Sequence, residues 1–160
     1  MARTNNYLIQ AQQAKRHFLT YDQDKLIKKL KLKADGQFLY AVLFSQQYRI
    51  CRATGDLERR EAEAWVDANS FAEVMTLLDL LCDSRDDRWI SGRWSNMQSF
   101  GLQFHQNLLE DEVDAFAQLL EEDPHGAIRA CKAMNGVPMT GGDLSYALEL
   151  FDGLRVWLQF

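Results

Sequence analysis

The stretch FLYAVLFSQQYRICRATGDLE, residues 38–58, decides what kind of fold this chain can adopt. Its opening run, Phe38 to Phe44, is apolar throughout, too short for a typical helix and rich in aromatic and branched side chains, which reads as a buried strand. Tyr48 to Arg52 then alternates, with Tyr48 and Ile50 on one face and Arg49 and Cys51 on the other. Ala53-Thr54-Gly55-Asp56 turns the chain again into Leu57 and Glu58. Three short strands joined by tight turns make an antiparallel meander.

The flanks of this meander read as helices. Upstream, Tyr7, Ala11, Ala14 and Phe18 recur at helical spacing, with Asn5 or Asn6 as the cap. TYDQDKLIKKLKL is a second short helix entered through Thr20 or Asp22, with Leu26, Ile27 and Leu30 inward, and Asp35-Gly36 ends helical territory. Downstream, Arg59 to Asn69 fits neither period. Ser70 and Glu73 then form a capping box ahead of an apolar stripe of Phe71, Val74, Met75, Leu78 and Leu81.

WISGRW, residues 89–94, reads as a strand bent at Gly92. Asn107 and Glu110 repeat the capping arrangement before Val113, Phe116 and Leu120. Asp123 caps a last helix with Pro124 at its first position and Gly136 as its stop. YALELF and LRVWLQF flank Asp152-Gly153, a strong two-residue hairpin signal. The expectation is therefore a single α+β domain over residues 1–160. Its antiparallel sheet would be built from the meander, the 89–94 strand and the final hairpin, with helices packed mainly on one face.

Composition narrows the setting. A domain of 160 residues buries roughly 70% of the surface its unfolded chain exposes, enough for a real core. The net charge of −5 hides an asymmetry, because Met1 to Lys33 carries eight Lys or Arg against two Asp, leaving −11 for the rest. An acidic body disfavours nucleic acid as a partner. Three cysteines, Cys51, Cys82 and Cys131, lie far apart with no CxxC pair, which fits a reducing cytoplasm. No apolar run of 18 residues and no leader pattern points to a membrane or to export.

YRICRATGDLE, SFAEVMTLLDLLCDS, ISGRW and the closing LQF together resemble an uncharacterised bacterial family, number 3786 among the domains of unknown function. The resemblance runs from about Phe38 onward in the same order. It implies no assigned activity. It also implies that members continue past LQF into an acidic and aromatic segment and another helix, so the chain is expected to lack a C-terminal segment. A bare final strand exposes unpaired backbone groups that proteins usually cover, and the alternative cover is a partner strand, including one from a second copy of the chain.

No GxGxxG, GxxxxGK[ST], HExxH, GxSxG or CxxC is present, so neither catalytic residues nor a cofactor can be named from motifs. His17, His105 and His125 are too scattered to imply a metal site, and Cys82 ends an apolar helix as a buried thiol would. Arg93 between Gly92 and Trp94, with Trp89 nearby, could hold a carboxylate or phosphate. The plainer alternative packs both indoles inward and leaves the arginine solvated. Gly142 and Asp143 in Thr140-Gly141-Gly142-Asp143 could form a nest of N–H groups for an anion, or simply a turn. Lys25, Lys28, Lys29, Lys31 and Lys33 could touch nucleic acid, but no stacking aromatic is interleaved among them, and a solvated face is the better reading.

These features favour a cytoplasmic, non-catalytic binding or accessory module that recognises a small anionic ligand or a protein partner through Arg93, Trp94, Trp89, Gly142 and Asp143. The alternative is an enzyme whose site joins Arg93 and Asp143 to residues of a C-terminal segment absent from this chain.

Overall fold

The computed structural model describes residues 6–96 and 106–160, and these are α+β, with antiparallel pairing throughout. The strands fall into two sheets rather than the single one expected, and the backbone divides into two compact units between Arg88 and Trp89. No helix among the described residues is long and apolar enough to cross a membrane.

In the first unit, helices α1 (Asn6–Thr20) and α2 (Gln23–Leu30) precede a five-stranded sheet in sequence order, and α3 (Phe71–Asp83) follows it. The strands are β1 (Lys33–Ala34), β2 (Phe38–Leu43), β3 (Gln46–Cys51), β4 (Leu57–Glu61) and β5 (Ala64–Asp67). Register sets Leu39 opposite Ile50 and Ile50 opposite Leu57, so period-two alternation turns these three to one face, where all are fully buried. Helix α1 packs on α3, contributing buried Ala11, Ala14 and Phe18 against an interior that includes Val74, Leu77, Leu78 and Leu81. Arg52 ties α2 to the β3–β4 corner, donating to Gln23, to the Asp35 carbonyl and to Asp24 while Gln23 returns a bond to the Arg52 carbonyl.

The meander is longer than the sequence suggested, because the ambiguous 59–69 stretch extends β4 and supplies β5. Its β2–β3 and β4–β5 turns carry no glycine or asparagine to announce them. Phe44 and Ser45 both take positive φ (48° and 63°) between β2 and β3, and Ala62 does so (49°) between β4 and β5. Phe44 is therefore a turn residue, not the end of a strand. In α2 the cap is Asp22, whose carboxylate accepts from the Lys25 N–H. Ser70 caps α3 by accepting from the Glu73 N–H, but Glu73 does not reach back to the Ser70 backbone. Its carboxylate instead accepts from the Ser70 hydroxyl (2.7 Å), Arg59 (2.9 Å) and Tyr48 (3.3 Å), which fastens the helix start to the sheet.

In the second unit, α4 (Gln106–Glu122) and α5 (Pro124–Ala133) precede a three-stranded sheet ordered β6 (Val137–Pro138), β7 (Ser145–Phe151), β8 (Leu154–Gln159). Asp123 caps α5 and Pro124 opens it, as read. Asn107 does not cap α4, because the helix already includes Gln106; the Asn5 alternative falls outside the described residues. Asp152 and Gly153 form the β7–β8 turn with positive φ at both. Gly136 is required by close approach, since a side chain there would meet the Cys131 carbonyl and Leu148. Trp89 to Trp94 is not a strand: Gly92 bends it at φ 70°, Ser91 Oγ takes the Arg93 N–H, and no ladder forms.

Candidate functional site

Strand β8 borders its sheet, so one of its long sides pairs with β7 and the other pairs with no strand among the described residues. The hydrogen bonds identify which backbone groups face which way. Phe160 and Leu144 exchange both bonds, N–H to carbonyl in each direction (2.9 and 3.1 Å). In an antiparallel ladder such exchanged pairs alternate with pairs whose backbone groups point outward. With Tyr146 opposite Leu158 and Leu148 opposite Val156, the backbones of Val156, Leu158 and Phe160 are turned toward β7. Those of Arg155, Trp157 and Gln159 are turned toward the open side.

Side chains follow the same alternation. Phe160 meets Phe116 of α4, with ring centroids 4.7 Å apart, on the face that the helices cover. Arg155, Trp157 and Gln159 occupy the opposite face, where Trp157 donates from its indole to Ser145 Oγ at 3.0 Å. The ribbon before α4 runs along this strand. Ile90 lies against the hairpin tip at Gly153, and Trp94 lies against Trp157 with centroids 5.6 Å apart. Trp89 is 78% exposed, Trp94 45% and Trp157 36%. Exposed Ile90 and Leu154 extend the patch, and contiguous apolar exposure of this kind marks interaction surface.

Of the residues singled out in the sequence, Trp89, Arg93 and Trp94 thus lie together on the ribbon beside β8, exposed rather than packed inward. Gly142 and Asp143 reach the same strand elsewhere. The N–H groups of Asp143 and Leu144 both donate to the Phe160 carbonyl, at 2.5 and 3.1 Å, and any side chain at Gly142 would run into that carbonyl. One N–H of the expected nest, that of Asp143, is thus engaged by the chain's own carbonyl. No hydrogen bond or ion pair joins Arg93 to Asp143.

The lysine-rich helix is likewise engaged within its own unit. Lys29 is almost wholly covered, donating to the Ser84 carbonyl at 2.7 Å, and Lys25 pairs with Asp86 at 3.0 Å, which raises the Lys25 pKa. Cys82 behaves as a core thiol, its pKa pushed up to about 11 by burial first and the Asp83 charge second.

Reading from the sequence missed two features. One is the outward row Arg155, Trp157, Gln159, whose signal was the i, i+2 alternation within LRVWLQ. The other is the outer face of the five-stranded sheet, where Arg49 lies over Phe38 (4.2 Å) and Trp65 (4.7 Å), pairs with Glu58, and faces Tyr40 across the β2–β3 ladder.

A family model described as Domain of unknown function (DUF3786) matches residues 22–160, so the chain belongs to that family. No curated protein and no solved structure matches the chain.

Proposed function

We propose that this member of a family of unknown function is a non-catalytic binding module that takes an extended segment of a protein partner as a further strand alongside β8. The observation that carries the reading is the outward row of backbone groups at Arg155, Trp157 and Gln159, set beside exposed Trp89, Trp94 and Trp157. Strand addition draws affinity from main-chain hydrogen bonds and specificity from alternate side chains, and β8 offers both. Arg93 supplies the anion-recognising group that the sequence suggested, toward a carboxylate on that partner. A cytoplasmic setting belongs to the same reading, supported by the three free cysteines.

The test uses amide hydrogen exchange with a soluble, β-prone ten-residue peptide as the probe. The peptide should slow exchange at Arg155, Trp157 and Gln159, which exchange rapidly without it, while Val156 and Leu158 are protected throughout. Gln159→Pro removes one outward N–H and none that serves β7, a substitution edge strands tolerate. It should abolish peptide binding and leave the melt close to that of the unaltered chain. Unchanged exchange at all three outward amides at millimolar peptide would defeat the reading.

A further inference from the structure

The strand-addition reading leaves the chemistry of the incoming segment open, and the charges around β8 narrow it. Most arginines with a described setting hold a carboxylate: Arg49 with Glu58, Arg52 with Asp24, Arg59 with Glu73, Arg60 with Glu63, Arg85 with Asp87 and Arg129 with Asp123. Arg93 and Arg155 are exposed and form no ion pair among the described residues. From Trp89 onward the chain has only four basic side chains, Arg93, Arg129, Lys132 and Arg155, against ten acidic ones. Arg155 faces Glu149 across the β7–β8 ladder, but that carboxylate accepts from the Gly153 N–H and no ion pair joins the two, so two of those four cations sit on the exposed indole patch unpaired among the described residues.

Alternation then fixes a spacing. Arg155 and Trp157 are two residues apart on one face of β8, and their backbones open to the free side. Residues of an added strand directly opposite them would also lie two apart on one face, with Cβ atoms about 5 Å from their partners. A carboxylate opposite Arg155 could receive paired N–H bonds from the guanidinium. An apolar side chain opposite Trp157 would complete the cover of the indole. Arg93, next to Trp94 on the ribbon, adds a second cation to the same neighbourhood.

We infer that the segment docking on β8 is acidic, with an Asp or Glu opposite Arg155 and an apolar residue two positions away opposite Trp157. This rests on strand addition at β8. A second copy of the chain would instead set β8 against β8, with no carboxylate available between Leu154 and Gln159.

The test compares two synthetic ten-residue β-prone peptides that differ only by Glu or Lys two residues from a Val, with binding followed by fluorescence anisotropy. A cross-strand charge reversal of this kind is worth roughly tenfold in affinity, so the Glu peptide should bind about tenfold tighter than the Lys peptide. The preference should shrink as salt is raised. Arg155→Gln should reduce it to near parity, and Arg93→Gln should narrow it less, giving a second variant should the first fold poorly. Equal binding of both peptides overturns the acidic inference and leaves strand addition standing. Saturation by neither peptide overturns both. A dimer in native mass spectrometry that disappears in Gln159→Pro also overturns the inference, because the occupant is then another copy.

Discussion

In the first unit a guanidinium meets rings and carboxylates at once: Arg49 lies over Phe38 and Trp65 and pairs with Glu58. In the second, Arg93 and Arg155 lie near indoles that face water and form no ion pair among the described residues, although Glu149 stands opposite Arg155 in the β7–β8 ladder. The residue types are the same, yet one surface is satisfied and the other is open. Aromatic and cationic composition alone does not mark a binding surface; what marks it is whether the polar and backbone groups between the rings already have partners.

The contrast breaks most visibly in the cores. Phe18→Ala empties a fully buried position between α1 and its neighbours and should cost about 3–5 kcal/mol in urea unfolding. An effect well below that would mean the α1–α3 packing is not part of the cooperative unit. Next comes the Glu73 network, where removing the carboxylate takes a partner from Ser70, Tyr48 and Arg59, the last of which keeps Glu61; Glu73→Ala should lose about 1–3 kcal/mol.

The same carboxyl gives a pH signature. Burial by itself would raise its pKa, but hydrogen bonds from Ser70, Arg59 and Tyr48 hold it below the ordinary value. A lowered native pKa means that its stabilisation is complete above the unfolded-state value of about 4.3 and fades as acid carries the pH down through the native one. Unfolding free energy should therefore fall on acidification below pH 4 more steeply in the unaltered chain than in Glu73→Gln. Parallel curves would show that the network does not favour the ionised form.

Ser70→Ala should cost about 1 kcal/mol through the lost cap; no change in unfolding free energy would mean that the cap contributes nothing. The smallest effect belongs to the open surface. Arg93→Ala should alter the melt by less than about 0.5 kcal/mol, since the side chain is exposed and unpaired among the described residues. A large drop would make Arg93 structural and close the gap between the two units.

Helix starts were the most legible part of the sequence, because Asp22, Ser70 and Asp123 solve a local problem with local chemistry. The hairpin at Asp152-Gly153 was legible for the same reason. What escaped was set by partners remote in sequence. The stretch ERREAEAW becomes a β4–β5 hairpin because Glu58 pairs across to Asp67 and Arg59 to Val66, not because its polar residues favour strands. WISGRW has strand-like residues but no ladder to join, so its propensity is overridden. Of the site, the Trp and Arg residues of the ribbon were visible as residues; their neighbour across space, Trp157, was not.

The β4–β5 turn leaves a reserve that can be drawn on. Ala62 holds a left-handed conformation that L side chains enter at a cost of about 1 kcal/mol, which glycine avoids. Ala62→Gly should thus harden the molecule thermally from a position in the first unit, exposed and remote in sequence from the β8 row. Such a variant would tolerate long incubations during a screen for interacting proteins.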